Sequence, residues 1–253
     1  MLIDSHCHLY AAEFEADLSL VMQRAFDAGV QRFYLPAIDS NSTEAMLKLE
    51  AAYPGICICM AGLHPCSVKG DYEAELALVK EQLSQKKFAA VGEIGLDFYW
   101  DKTFVQEQYD AFTRQIELAI MYDLPIVIHT RDAMPETIEV IRKYKGKLKG
   151  IFHCFGGSLE QASQVIDLGF LMGIGGVVTY KNAGLAEVLK EVDLKHIVLE
   201  TDAPYLTPVP FRGKRNESSY LKYVCDKIAM IKNISPEEVA AVTTANALGI
   251  FAC

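Results

Sequence analysis

Met1-Leu2-Ile3-Asp4-Ser5-His6-Cys7-His8 is a short apolar run that ends in two histidines spaced by one residue. In an extended strand successive side chains alternate faces, so His6 and His8 point the same way. Two imidazoles on one face at a strand end form half of a metal site. An isolated His-x-His is more often an ordinary surface or cap pair, so the other half has to come from further along the chain. The pattern decides the fold because its plan, apolar run then polar end, recurs. Strand-length apolar runs occur at Leu2–Ile3, Arg32–Ile38, Ile56–Leu63, Phe88–Leu96, Pro125–Ile128, Leu148–Phe155, Phe170–Ile174 and His196–Thr201.

Between these runs apolar residues fall at three- and four-residue spacing, first at Leu18, Val21, Met22, Ala25 and Phe26. The same helical spacing holds over Glu73–Leu83, Thr103–Met121, Pro135–Tyr144, Leu159–Leu168 and Gly184–Val192. Breakers mark the junctions at Ala28-Gly29, Tyr53-Pro54-Gly55, Asp123-Leu124-Pro125 and Gly169, and Ser42 and Ser158 are the expected N-caps. Two helices end the chain, Ser219–Ile231 and Pro236–Ile250, the second opened by the cap, first-turn proline and acids of Ser235-Pro236-Glu237-Glu238. Continuous apolar strands alternating with amphipathic helices specify a parallel sheet covered by helices. Eight such units predict an α/β fold, a single (β/α)8 TIM-type barrel with an extra C-terminal helix, forming one domain over residues 1–253. No G-x-G-x-x-G follows the first strand, which removes support for a dinucleotide-binding sheet.

Bulk properties narrow the function. The chain has 253 residues, half of them hydrophobic, and no apolar run of the ~20 residues that cross a bilayer. Strand and His6 begin at once, leaving no room for a signal peptide, and the seven cysteines (Cys7, Cys57, Cys59, Cys66, Cys154, Cys225, Cys253) lack framework spacing. A cytoplasmic protein with reduced cysteines is the expectation, Cys57 and Cys59 being packing residues. A net charge of −9 argues against general nucleic-acid affinity, but not against an enzyme that meets a nucleic acid only at its active site. Lys143, Lys145, Lys147 and Lys149 precede strand 6 at the face opposite the site and read as solvated turn charge.

A barrel does its chemistry at the C-terminal ends of its strands. Those ends carry His6 and His8, Gly62-Leu63-His64-Pro65, Gly92-Glu93-Ile94-Gly95-Leu96-Asp97, Ile128-His129-Thr130-Arg131, His153-Cys154-Phe155 and Glu200-Thr201-Asp202-Ala203-Pro204. Each residue alone has a bland reading: His129 as a core histidine, Glu93 as a paired carboxylate, Asp202 as a loop cap. Together, His6, His8, Glu93, His129, His153 and Asp202 at one rim point to a metal centre. Four histidines and two carboxylates are more ligands than one tetrahedral ion uses, and two divalent ions would use them all.

These motifs, with Asp4-Ser5-His6-Cys7-His8, resemble the set of the TatD family, metal-dependent deoxyribonucleases of the amidohydrolase-like barrel superfamily. The late stretch Pro210-Phe211-Arg212-Gly213-Lys214-Arg215-Asn216-Glu217 is also similar, although Ser218 stands where the family usually continues with proline, a difference of loop shape. The resemblance implies His6, His8 and Asp202 on one ion, His129 and His153 on the other, and Glu93 bridging them. It implies hydrolysis of phosphodiester bonds in DNA with Mg2+ or Mn2+, whereas the histidine-rich set favours Zn2+. Asp202 is the candidate base, ranked first as a ligand, with Glu93 catalytic beside it. His64, Arg131 and Arg212, with Lys214 and Arg215, are candidate phosphate contacts, the alternative for Arg131 being an ion pair with Glu200. Tyr99 and Trp100 follow strand 4 on the same side, where they would either stack on a base or cap the barrel. The expected substrate is single-stranded DNA or its 3′ ends, since the acidic surface offers no long groove for duplex, with 3′-5′ exonucleolytic removal by a monomer. A hydrolase of a small ester, lactone or amide on the same barrel is the alternative.

Overall fold

The structure is a computed structural model describing residues 1–251, so Cys253 lies outside the described residues. Short apolar strands that bury both faces need a closed, helix-covered sheet, and the strands supply one. They are β1 (Leu2–Asp4), β2 (Val30–Leu35), β3 (Cys57–Cys59), β4 (Val91–Asp97), β5 (Ile126–Arg131), β6 (Gly150–Phe152), β7 (Leu171–Ile174) and β8 (Ile197–Leu199). All neighbours pair in parallel and in chain order, in a three-stranded sheet β1-β2-β3 and a five-stranded sheet β4-β5-β6-β7-β8. Two seams join them. Ala61 bridges Val91, with the Gly92 N–H donating to Ala61 O at 2.9 Å, and on the other side Ser5 N–H donates to Leu199 O at 3.0 Å. The result is the expected (β/α)8 barrel.

The helices are α1 (Leu18–Asp27), α2 (Ser40–Ala52), α3 (Tyr72–Gln85), α4 (Val105–Met121), α5 (Met134–Arg142), α6 (Leu159–Asp167), α7 (Leu185–Glu191), α8 (Leu221–Lys232) and the extra α9 (Pro236–Ile250). Periodicity does not reveal α2, because its polar first turn reads as a loop and it buries only Met46 and Leu49. Ser42 is not its N-cap. Asp39 is: its Oδ1 accepts from Ser42 N–H at 3.2 Å while Ser42 Oγ accepts from Asp39 N–H at 3.2 Å, a capping box with Ser42 at its third position. Ser158 does cap α6, accepting from Gln161 N–H at 3.2 Å.

Several apolar runs outlast the ladder. β2 ends at Leu35 because Pro36 has no N–H to donate, and β6 ends at Phe152, before Cys154 turns left-handed at φ 47°. Inside the barrel, Ile3, Tyr34, Met60, Val127, Ile151 and Val198 pack with Ile250 and Phe251 from the end of α9. Tyr34 and Phe251 stack with centroids 4.0 Å apart. The last helix therefore plugs the barrel on the side away from the strand ends that carry the histidines. The alternate strand residues, among them Leu2, Phe33, Leu35, Ile126, Ile128, Phe152 and Ile174, join the larger core beneath the helices.

Candidate metal centre

Strand parity alone does not aim His6 and His8, since β1 ends at Asp4 and both histidines lie beyond it. Cross-barrel backbone bonds hold them instead. Cys7 N–H donates to Tyr34 O (3.1 Å), His8 N–H to Ala203 O (2.7 Å), and Asp202 N–H to His6 O (2.9 Å). Beneath them Asp4 is a buried hub, its carboxylate accepting from Thr201 N–H (2.9 Å), Thr201 Oγ1 (2.6 Å) and Ser218 Oγ (2.6 Å). Burial pushes the Asp4 carboxyl up to about 7, against the pull of these hydrogen bonds. Ser218 is thus more than a matter of loop shape: its hydroxyl reaches the residue under His6, as a proline could not.

Glu93 sits in the middle. The β4–β5 register pairs Gly92 with Val127 and Ile94 with Ile128, skipping Glu93, so a bulge presents it out of the ladder. Its two oxygens divide the histidines. Oε2 lies 3.1 Å from His6 Nε2 and 3.8 Å from His8 Nε2; Oε1 lies 2.8 Å from His129 Nδ1, 3.4 Å from His64 Nε2 and 3.6 Å from His153 Nε2. Asp202 closes one side, its Oδ1 3.5, 3.7 and 3.9 Å from the Nε2 atoms of His8, His6 and His153. Asp202 and Cys154 both hold φ near +50° (56° and 47°), the left-handed strain that functional turns tolerate.

Sequence reading did not assign roles to the residues that orient these rings. Tyr10 Oη donates to Pro36 O at 2.5 Å, so it accepts from His8 Nδ1–H at 2.8 Å and leaves Nε2 bare toward the centre. Asp97 Oδ2 stands 2.9 Å from His129 Nε2, leaving Nδ1 to face Glu93. Glu200 Oε1 faces His153 Nδ1 at 3.0 Å and accepts from Cys154 N–H at 2.6 Å. Carboxylates behind imidazoles fix tautomers in this way at metal sites. One signal was legible: Tyr10 stands two residues after His8, Asp97 four after Glu93 and Glu200 two before Asp202, each polar residue close in sequence to a candidate ligand. Close packing supports the positions too. A Cβ on Gly95, at φ 148°, would meet His129 O at 1.9 Å.

The electrostatics match the geometry. Burial alone would neutralise Glu93, but His6, His64, His153 and His129 outweigh it and hold its carboxyl well below the usual range. Asp202 is likewise lowered against burial by His153, His8 and His6. His153 is opposed by burial, yet Glu200, Glu93 and Asp202 push it up to about 10. Burial first, then His153, lowers His6. The Nε2 atoms of His6 and His8 stand 3.3 Å apart, so a proton on His6 or a cation must lie between them. Donor atoms of His6, His8 and Glu93, of His6, His153 and Asp202, and of His64, Glu93 and His129 each lie within 4.8 Å of one another. This donor set fits divalent cations.

The structure sorts the candidate substrate contacts. His64 Nδ1 accepts from Cys66 N–H at 3.0 Å, so Nε2 is the atom that faces the centre, 3.2 Å from His129 Nδ1 and 3.4 Å from Glu93 Oε1; it is a hydrogen-bond donor when it carries the ring proton and a cation ligand when it does not. Arg131 makes no ion pair with Glu200, which is buried and engaged with Cys154 and His153; its guanidinium instead lies 3.9 Å from the Tyr99 ring centroid and 5.1 Å from that of Trp100. Arg212 stacks 4.0 Å from Tyr180. Arg215 is committed to Asp17 through two 2.8 Å hydrogen bonds, which removes it from the phosphate contacts.

The sequence profile described as "TatD related DNase" matches residues 3–252. The chain belongs to the TatD family. It is 40% identical to the uncharacterized metal-dependent hydrolase YabD of Bacillus subtilis, over 99% of each chain. It is 34% identical to the 3′-5′ ssDNA/RNA exonuclease TatD of Salmonella typhimurium, over 99% of this chain and 98% of that one. The crystal structure of YjjV, a TatD homolog from Escherichia coli, superposes with a TM-score of 0.93 at 28% identity, covering 100% and 98% of the two chains. As a TatD-family member the protein is a metal-dependent hydrolase, and no helix among its described residues is long and apolar enough to cross a membrane.

Proposed function

We propose that this TatD-family hydrolase cleaves phosphodiester bonds in DNA as a 3′-5′ exonuclease on single strands, as a cytoplasmic monomer holding two divalent cations. The observation that carries the two-cation reading is Glu93, whose Oε2 faces His6 and His8 and whose Oε1 faces His129, His64 and His153. His6, His8 and Asp202 would hold one cation and His129 and His153 the other, with Glu93 placed between the two groups. Mg2+, Mn2+ or Zn2+ bound there would supply Lewis acidity and lower the pKa of a bound water. Asp202, kept ionised by three histidines, accepts the proton of the attacking water. His64 Nε2–H donates to a phosphate oxygen, and Arg131 and Arg212 neutralise phosphates at the rim. The name of the Salmonella relative supports the same activity and polarity.

The test is metal-stripped protein reloaded singly with Mg2+, Mn2+ or Zn2+ and given end-labelled single-stranded DNA. Release of mononucleotides from the 3′ end, stopped by a chelator, is the expected outcome. Turnover of lactones, esters or amides with none on DNA refutes it. His129→Ala lowers the bound metal; unchanged metal content removes His129 from the ligand set.

A further inference from the structure

The loop after β4 is tied down at many points, yet it leaves the single tryptophan of the chain in water. Asp97 Oδ1 accepts from Tyr99 N–H (2.9 Å) and Trp100 N–H (3.0 Å), and Phe98 N–H donates to Arg131 O (2.9 Å). Gln108 brackets Asp97, accepting its N–H at 2.9 Å and donating to its carbonyl at 3.1 Å, while Lys69 anchors Asp101 at 2.6 Å. Despite this, Tyr99 is 52% exposed and Trp100 67% exposed, their rings edge-to-face at 4.9 Å. Burying a tryptophan is among the larger gains available to a fold, so a rigid loop that withholds one is built to present it.

Two further features state what it is presented to. Arg131 lies over Tyr99 and, among the described residues, has no carboxylate partner, so the platform combines flat apolar faces with an unneutralised cation. The platform is also coupled to the metal centre through one side chain: Asp97 holds the loop with Oδ1 and His129 with Oδ2. A planar ring joined to an anion that reaches the histidines is the chemistry of a nucleotide. We infer that Trp100, Tyr99 and Arg131 form a nucleobase-stacking platform that holds the base next to the scissile phosphate. This rests on the phosphodiesterase reading and deepens it: the platform makes the site prefer base-bearing phosphodiesters over others.

Because Trp100 is the only tryptophan, its emission reports the platform directly. The metal-loaded protein is titrated with phosphorothioate-linked tetra-deoxyadenylate and with a base-free tetramer of equal charge, and cleavage of the matching phosphodiester oligomers is measured. The base-bearing oligomer quenches Trp100 saturably; the base-free one does not. Trp100→Leu raises KM for the base-bearing oligomer about tenfold to a hundredfold, collapses the preference over the base-free one, and Trp100→Phe restores most of it. Thermal unfolding of both variants checks that they fold. Cleavage of DNA that Trp100→Leu leaves unchanged, with no quenching in the wild type, overturns the platform and leaves the phosphodiesterase reading standing. Failure of the wild-type protein to cleave either oligomer overturns both.

Discussion

Gly173→Ala tests whether His153 is held from behind. Gly173, on β7, lies against the Glu200 carboxylate so closely that a Cβ there would meet Oε2 at 2.1 Å, where ordinary contact begins at 3.4 Å. The overlap, 3.4 − 2.1, is 1.3 Å. Glu200 has nowhere to retreat: Cys154 N–H and His153 Nδ1 engage Oε1 at 2.6 and 3.0 Å, and Gly175 stands 3.6 Å from Cγ by the same Cβ measure. The β7 backbone is pinned as well, Gly173 being in register with Val198 and accepting from Phe155 N–H at 2.9 Å. Overpacking of this kind costs about 1–3 kcal/mol. In a domain of this size each kcal/mol moves Tm by roughly 2–4 °C, so a fall of roughly 2–12 °C is expected. Displacing Glu200 also frees His153, weakening metal binding by about tenfold or more. Thermal unfolding in chelator isolates the first effect, and calorimetric titration with Mn2+ or Zn2+ the second. Adding Glu200→Asp shortens the acid by a methylene and recovers Tm without recovering affinity, a non-additivity that marks direct contact. A Gly173→Ala protein with wild-type Tm and wild-type metal affinity refutes the reasoning.

Asp97→Asn cannot satisfy both its partners, since an amide that accepts from His129 must turn its NH2 toward the Tyr99 and Trp100 N–H groups. Metal affinity by titration falls about 10- to 100-fold while the fold is retained, and unchanged affinity shows His129 to be oriented by something else. Because His153 sits near 10 before a cation arrives, metal binding at pH 8 displaces its proton; calorimetry in buffers of different ionisation enthalpy reads a net release, and none means the ring was already neutral. Glu217 is lowered against burial, chiefly by Arg24, whose Nε and second nitrogen donate at 2.8 and 2.6 Å. Its stabilisation is complete above the unfolded carboxyl value of about 4.3 and is lost as pH falls through the lower folded value. Glu217→Gln therefore removes about 1–2 kcal/mol at pH 7, at the low end because the Arg24 side chain is 43% exposed, and flattens the acid limb of a Tm-against-pH curve; an unaltered acid limb counts against it.

The barrel was legible because its strands are continuous apolar runs and its helices amphipathic, and both signals are local. The six metal-donor candidates were legible for a related reason: polar residues that end apolar strands have only the rim to occupy. Less legible was everything set by approach between distant segments. Asp4 reads as the last residue of a strand, yet its partners Thr201 and Ser218 are about 200 residues away. For Arg131 an ion pair with Glu200 stood as the alternative to a phosphate contact, but burial against Gly173 and Gly175 gave that acid other neighbours and left the guanidinium to the aromatic rings. Of α2 only a cap at Ser42 was legible, three residues past the true cap, because capping by Asp39 lets a polar segment be helical with little apolar pattern.

The seam between β1 and β8 bears on how the protein comes into being. Asp202 donates its backbone N–H to His6, and Ser218 reaches Asp4 across 214 positions of sequence. The candidate ligands from both margins of the chain are therefore brought together only when the ring closes, and contacts of such separation are the slow ones to form. Closure of the ring, which joins His6 to Asp202 and Asp4 to Ser218, is thus the step that completes the candidate centre.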